Sequence, residues 1–568
     1  MAHRPQNPLI VQGDHTVLVE VDSPRYDEAR DHLARFAELI KSPEHVHTYR
    51  LTPLSIWNAT AAGVSADQIA ASLREYAKYD VPGHVLAEVH EYAGRYGRLK
   101  LLRNGDTLRL IAADPALAEE IWHHQAARQY LTSREDPVAF SVLPAHRGWL
   151  KQTMVKIGWP IEDLAGYVQG QGLDVVLRPF TTQGMPFALR SYQREAVDIF
   201  HASGRASGGS GVITLPCGAG KTIVGMGVMA RTLASTLILA TGTTAVRQWI
   251  REILDKTRLD ADQVGEYTGL AKEIRPVTVT TYQILTYRRA REEEFTHFRL
   301  FEERDWGLII YDEVHLLPAP VFRATAEIQA RRRLGLTATL IREDGREDDV
   351  FALIGPKKYD VPWKVLEGQG WIAAAACTEV RLPLPAELRM TYAVTDRRRK
   401  LRFASENPGK RDVLQRILAR HAADPTLIIG TYVEHLQRVA AELRIPVITG
   451  QTSNRERERL FDEFRDGRLP VLAVSKVANF AIDLPDAAVA IQVSGTFGSR
   501  QEEAQRLGRL LRPKPGTNQA HFYTLVTRET LEQDFAMKRQ RFLTEQGYTY
   551  EIVDSRALSQ DGPPALAD

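Results

Sequence analysis

Residues 204–222 read GRASGGSGVITLPCGAGKT. A glycine- and serine-rich turn feeds the apolar run 212–215, which opens into a loop of small residues ending in Lys221 and Thr222. An apolar strand, a glycine loop and then a lysine and a hydroxyl at a helix start form a cradle for phosphate. Backbone N–H groups converge on the anion, and the helix N-terminus adds its positive end. Gly218 and Gly220 give the backbone room to close in. Lys221 supplies a point charge for terminal phosphates, and Thr222 offers its hydroxyl to Mg²⁺. Leu215 stands where the general GxxxxGK[ST] pattern has its first glycine, so the loop follows the shorter Gly-x-Gly-Lys-Thr core. ATP with Mg²⁺ is the expected ligand.

Downstream of the loop, buried strands are predicted at 235–240, Val277–Thr281, 307–311 and 333–336, with helical stretches between them. Continuous apolar runs separated by helices mean a parallel sheet covered on both faces. The pattern restarts at 425–430 and continues through 446–449, 470–475, 487–493 and 520–525. The expected fold class is therefore α/β, with two such domains in tandem. The first stretch reads as a mixed helical and strand accessory region. It opens with the alternating segment 8–21, and a helix is predicted over 65–79, where Ser65 and Gln68 have capping-box spacing. A second helix over 82–96 leads to the strand-like 107–113, and 148–176 reads helix then strand. Helix pairs with a small strand pair suit a helix-turn-helix or winged-helix unit, and equally a plain docking domain. Lys151, Lys156 and Trp159 are candidates to touch a DNA backbone, or a solvated surface. The expected division is 1–185 (accessory and DNA-binding candidate), 186–358 (ATP-binding domain), 359–556 (connecting segment and second domain) and 557–568 (flexible tail).

Three further motifs complete the nucleotide site. LIIYDEVH, 308–315, is an apolar strand ending in Asp312 and Glu313. An acidic pair capping a strand is ordinary alone, but after a phosphate loop it is specific. Asp312 would hold Mg²⁺, and Glu313 would polarise the attacking water. His315 would couple the nucleotide site to the other lobe. In LRSYQREAVDIF, 189–200, the amide of Gln193 would read the adenine edge, unless it is only a surface glutamine on an amphipathic helix. In QEEAQRLGRLLRP, 501–513, Gln505, Arg509 and Arg512 share one helix face. The two arginines would act as arginine fingers on the γ-phosphate, making hydrolysis depend on lobe closure.

Composition sets the limits. A chain of 568 residues exceeds one ordinary core, and 44% hydrophobic with 25% charged residues suits a globular protein. The net charge of +2 argues against a basic tail but not against a local positive groove. Only two cysteines, Cys217 and Cys377, are present, which excludes a four-cysteine iron–sulfur cluster and a CxxC zinc pair. Reduced thiols, no membrane and a cytoplasmic, nucleoid-associated location are expected.

Taken together, GAGKT, DEVH and QRLGRLLR are motifs of superfamily 2 helicases, and the finer pattern resembles the xeroderma pigmentosum group B (XPB) DNA helicase family. That family provides the helicase and translocase subunit of the transcription and repair factor TFIIH, with relatives in bacteria and archaea. The distinguishing run is LGLTATLIREDG, 334–345, in which Arg342, Glu343 and Asp344 look like the family's RED motif, implicated in DNA opening. Residues 351–373 and 475–487 also resemble it, as do LTPLSIWNA at 51–59 and the segment 8–21. The resemblance implies two RecA-like domains, ATP and Mg²⁺ as cofactors, DNA as substrate and 3′→5′ movement. It puts Thr337 and Thr339 where hydrolysis is coupled to DNA, and Gly242, Thr280, Thr281 and Tyr282 in segments that touch the DNA strand. Arg506, Arg509 and Arg512 fall in the interlobe motif. ATGTTAVRQW at 240–249 departs from the family's proline-containing segment, and 381–407 is too short for a large thumb insertion.

The implied activity is an ATP-dependent DNA helicase in repair, with a nuclease or a transcription and repair protein as partner. A double-stranded DNA translocase that seldom unwinds uses the same motor. A non-enzymatic repair scaffold that has kept the fold is a third reading, against which the complete set Lys221, Asp312, Glu313, Arg509 and Arg512 argues. An RNA helicase is disfavoured by DEVH in place of DEAD and by the RED run.

Overall fold

The computed structural model describes residues 4–559, apart from 42–44, 206, 217, 288–295, 329–330, 339–345, 362–365, 368, 372, 476–486, 495–518 and 546–548. Contacts divide the chain into two compact units. One comprises Met1–Glu38, Thr48–Leu215 and Gly220–Val361; the other comprises Leu39–His47, Pro216–Ala219 and Pro362–Asp568.

The first unit contains a seven-stranded sheet. Its order is Val264–Tyr267, Val277–Thr281, Thr236–Ala240, Leu308–Asp312, Arg332–Thr337, Ser210–Thr214 and Lys357–Asp360, with every pairing parallel. The strands Ser210–Thr214, Thr236–Ala240 and Val277–Thr281 are buried along their whole length. β-branched and aliphatic residues on both faces therefore meet helices on both sides, as continuous apolar runs demand. The register brings the motif-bearing strand ends to one edge. Thr214 lies opposite Thr337, Asp312 opposite Leu336, and Ala240 opposite Thr281. In an open parallel sheet this carboxyl edge is where ligands bind.

The second unit has its own seven-stranded parallel sheet, ordered Val447–Ile448, Val471–Ser475, Thr426–Gly430, Val489–Gln492, Gln519–Thr527, Ala374–Leu382 and Thr549–Asp554. Two RecA-like parallel-sheet domains in tandem, after a mixed N-terminal region, is the architecture expected from the sequence. The segment too short for a large thumb holds two helices, Ala386–Val394 and Arg397–Ser405. Within this unit the Lys410 ammonium donates to Glu532 Oε1 at 2.6 Å and to the Val493 carbonyl at 2.8 Å, both side chains being buried.

Apart from Leu39–His47, the accessory region belongs to the first unit. Helix Ala66–Tyr76 starts on Ser65, whose hydroxyl accepts from Gln68 N while the Gln68 side chain accepts from Ser65 N, completing the capping box. A five-stranded sheet follows, ordered Leu131–Asp136, Ala139–Val142, Thr107–Ala112, Leu99–Asn104 and Ile161–Asp163. Helix Arg147–Lys156 then packs against the flank of the first unit's seven-stranded sheet so closely that a Cβ on Gly148 would lie 2.3 Å from the Ala326 carbonyl. Trp57 and Val155 share one core with Trp306 and Phe351. Lys151 departs from both readings the sequence offered, whereas Lys156 is exposed and Trp159 half-buried. Lys151 is buried and donates to Asp163 at 3.0 Å; Trp159 donates to Glu120 at 2.8 Å beneath the guanidiniums of Arg95 and Arg98. A lysine near an aromatic reads as surface until a carboxylate on the following strand recruits it.

Candidate functional site

The phosphate loop leaves Thr214, with Leu215 N donating to the Thr337 carbonyl at 3.0 Å. Gly218 and Gly220 adopt φ of 81° and 80°, the left-handed region that an L-residue avoids. Gly220 is also the N-cap of helix Lys221–Thr232, and a Cβ there would sit 2.6 Å from Gln193 Nε2. Gln193 is 3% exposed. Its oxygen accepts from Arg190 N at 3.0 Å, and its nitrogen lies 3.4 Å from the Tyr192 hydroxyl. The amide thus caps its own helix and buttresses the loop glycine. Thr222, half-buried, stands in the first turn of the same helix.

The acidic pair closes the opposite side. Lys221 Nζ is 3.1 Å from Glu313 Oε1, with both side chains largely buried. Glu313 leaves the strand with φ 50° and ψ 56°, an uncommon backbone for a glutamate. Burial raises its carboxyl, but the Lys221 ammonium and His315 outweigh that, and the group is held below the ordinary value. Asp312 goes the other way. Burial and the neighbouring Glu313 charge push its carboxyl up to about 6, against the Trp249 hydrogen bond and Lys221. Trp249 Nε1 donates to Asp312 Oδ2 at 2.9 Å, and the Tyr282 hydroxyl donates to the Asp312 carbonyl at 2.9 Å.

His315 Nδ1 lies 2.7 Å from Thr337 Oγ1 and 3.6 Å from Glu313 Oε2. The expected hydrogen-bonded coupling therefore runs to the end of the neighbouring strand, within the first unit. The segment residues assigned to DNA divide. Gly242 is open, with no atom within 4 Å of a Cβ built on it. Thr280, Thr281 and Tyr282 are buried, and their hydroxyls are spent inside the fold: Thr280 on the Tyr267 carbonyl, Thr281 on Ile284 N and Tyr282 on Asp312. The exposed Gln283 next to them reaches the Thr241 carbonyl at 2.6 Å, tying the two segments together. Gln505, Arg506, Arg509, Arg512, Thr339, Arg342, Glu343 and Asp344 lie outside the described residues. Trp249 was missed. The only signal for it was its place at the end of 240–249, since an indole on an amphipathic helix reads as core.

With a phosphate loop, a lysine–glutamate pair and a histidine–threonine contact at one sheet edge, the relatives of the chain become informative. A DNA 3′-5′ helicase XPB of Kineococcus radiotolerans is 55% identical, covering 98% of this chain and 98% of that protein. The protein of the same name from Mycobacterium tuberculosis is 54% identical over 97% and 98%. The chain belongs to the XPB family of superfamily 2 helicases.

The family model described as ERCC3/RAD25/XPB C-terminal helicase matches residues 366–565. That of the type III restriction enzyme res subunit matches 186–342, and a helicase conserved C-terminal domain model matches 9–136. A more distant XPB, the general transcription and DNA repair factor IIH helicase/translocase subunit of Antonospora locustae, is 34% identical over 96% of this chain and 81% of that protein. Among the described residues, no helix is long and apolar enough to cross a membrane.

Proposed function

We propose that this XPB-family protein is an ATP-dependent DNA helicase that moves 3′→5′ and acts in DNA repair. The observation that carries the reading is the Lys221–Glu313 pair, 3.1 Å apart beside Asp312 on the carboxyl edge of a parallel sheet. Phosphates seated on the loop would compete for the Lys221 ammonium. Glu313, relieved of it, would become the better base for a water aimed at the γ-phosphate. His315 would keep Glu313 oriented through Thr337.

Thr222 and Asp312 are the residues that would hold Mg²⁺. Two adjacent carboxylates buried against one lysine leave an excess of negative charge, which suits a cation. Among the described residues no group of three or more His, Cys, Asp or Glu could hold a metal alone, which suits an ion shared with phosphate oxygens. Bound there, Mg²⁺ would neutralise charge on the transferring phosphoryl group. Arg509 and Arg512 are the proposed cationic partners of that group, and Gln193 the adenine-side amide. Gly242 and the edge segments at 241–243 and 280–283 would carry the DNA strand through backbone groups. Binding would then be sequence-independent and salt-sensitive. A nucleoid-associated cytoplasmic setting and a nuclease or other repair protein as partner complete the proposal.

The test is ATP hydrolysis with and without forked DNA, in parallel with unwinding of a 3′-tailed fork. Stimulated hydrolysis with strand separation, both lost in Glu313→Gln with ATP binding retained, is the expected result. Stimulation without separation, together with displacement of a triplex strand, would replace the helicase with a duplex translocase. No hydrolysis in either condition would overturn the motor.

A further inference from the structure

Trp249 is 1% exposed, and an indole N–H is a donor with no acceptor capacity of its own. Its partner is Asp312 Oδ2 at 2.9 Å. The ring's position is fixed from the other side. A Cβ on Gly225, in the helix that begins with Lys221 and Thr222, would meet Trp249 Cη2 at 2.5 Å, so glycine at 225 makes the notch into which the indole fits. Trp249 belongs to helix Thr243–Lys256, whose N-cap is the open Gly242. Tyr282 is buried too, opens the short helix after Thr280 and Thr281, and donates its hydroxyl to the Asp312 main-chain carbonyl at 2.9 Å. Gln283 fastens this second segment to the first at Thr241.

Both edge segments therefore end on the same aspartate, one through the carboxylate and one through the carbonyl. The indole engages one oxygen of the carboxylate, Oδ2. Resting on the helicase reading above, we propose that Trp249 and Tyr282 are positioning residues that transmit DNA binding to the ATP site by setting Asp312. DNA seated on 241–243 and 280–283 fixes the start of helix Thr243–Lys256 and of the Tyr282 turn. The two donors then hold the carboxylate in one orientation toward the loop. DNA stimulation of hydrolysis runs through this pair of hydrogen bonds, and their loss weakens Mg²⁺ binding at the site in the way lost outer-shell partners do.

The experiment uses the full chain with Trp249→Phe, which keeps a ring and removes the donor, and Tyr282→Phe, which is nearly isosteric. Trp306→Phe is the control, because Trp306 is equally buried but donates to the Leu300 carbonyl. The first readout is the Mg²⁺ concentration that half-saturates binding of a fluorescent ATP analogue, which needs no turnover. A rise of roughly ten-fold in Trp249→Phe and no rise in Trp306→Phe is expected. The second is the Trp249 indole N–H resonance in ¹⁵N-tryptophan-labelled protein, assigned by its loss in Trp249→Phe. It should move on adding forked DNA alone, while the Trp306 signal stays. The third is the ratio of hydrolysis with DNA to hydrolysis without, which should collapse in both Trp249→Phe and Tyr282→Phe with the KM for ATP changed less than kcat. An unmoved indole signal with DNA bound, or equal Mg²⁺ half-saturation in Trp249→Phe and wild type, overturns the proposal. A wild type that never hydrolyses ATP overturns the motor reading instead, and the first two readouts still decide this one.

Discussion

Removing the charge of Asp163 tests what joins the accessory region to the ATP-binding sheet. Asp163 accepts from Arg147 Nε at 2.9 Å, Arg147 Nη2 at 2.8 Å and Lys151 Nζ at 3.0 Å, all buried. The guanidiniums of Arg147 and Arg333 both lie over the Tyr167 ring, and the Tyr167 hydroxyl donates to Ser210 at 2.7 Å. Arg333 sits in the strand that ends at Thr337. Two buried cations, Arg147 and Lys151, thus share this carboxylate, and Arg333 lies close by over the Tyr167 ring. In Asp163→Asn the hydrogen-bonding shape survives and the charge does not. Lys151 can escape: burial, with Arg333 and Arg147 nearby, already lowers its ammonium to about 8, and without the Asp163 charge that raises it the proton is shed more easily still. Arg147 and Arg333 have no such escape. Breaking a buried pair from one side costs about 3–5 kcal/mol.

That loss corresponds to a fall on the order of 5–10 °C in the melting of a unit this large. Because the chain has two units, the transition to follow is the first one in differential scanning calorimetry, paired with limited proteolysis between 147 and 170. Asp462→Asn, which removes an exposed partner of Arg465, is the control and should shift melting by no more than about 2 °C. A melting temperature for Asp163→Asn within about 2 °C of wild type would refute the reasoning, since it would mean that the cations are solvated and the knot holds nothing together.

Lys151 predicts a pH effect of definite sign. The folded protein releases this proton near pH 8 and the unfolded chain near 10.5, so the unfolded state binds more protons between them. Stability of the first unit should rise with pH across that window, and Lys151→Met should flatten the rise in urea melts at a series of pH values. Gly220→Ala places a Cβ against Gln193 at a φ of 80° and should weaken ATP-analogue binding by about ten-fold or more while melting changes little. Glu532→Gln leaves the Lys410 ammonium buried without its carboxylate and should cost about 3–5 kcal/mol, seen as faster hydrogen exchange in helix Lys410–Arg420.

Much of this molecule is legible from local sequence. Parallel strands buried on both faces announce themselves as apolar runs, and the phosphate loop and DEVH need only nearest neighbours to be read. The Ser65–Gln68 capping box is legible for the same reason, because both partners lie within one turn. What escaped is what depends on distant register. The burial of Thr280 and Thr281 was legible in the strand pattern, but their partners were not: Thr280 meets the Tyr267 carbonyl and Thr281 caps a short helix. Lys151 read as a candidate for phosphate, yet its carboxylate arrives from the strand Ile161–Asp163. Trp249 and Asp312 meet only because Gly225 lets two helices approach, a fact with no signature short of the folded sheet.

The acidic pair shows why four adjacent letters suffice to mark such a site. In an extended strand, neighbouring side chains point to opposite faces, so Asp312 and Glu313 would straddle the sheet. The left-handed step at Glu313 breaks that alternation and swings its carboxylate onto Lys221, while Asp312 keeps to the Trp249 side. Such a backbone costs about 1–3 kcal/mol and persists only where the surroundings over-determine it. Here the tight turn Val314–Leu316 follows at once, with Leu316 N on the Glu313 carbonyl and Leu317 N on that of Val314. Val314 is buried as the anchor, and His315 is turned back onto Thr337 and Glu313. In DEVH, Asp312 thus rests on Trp249, Glu313 meets Lys221, Val314 anchors the turn and His315 braces Glu313. Glycine at 313 would relieve the backbone and remove the carboxylate that meets Lys221. Any L-residue keeps the strain, so the strain is the condition for placing both carboxylates at one crevice with environments that push them apart.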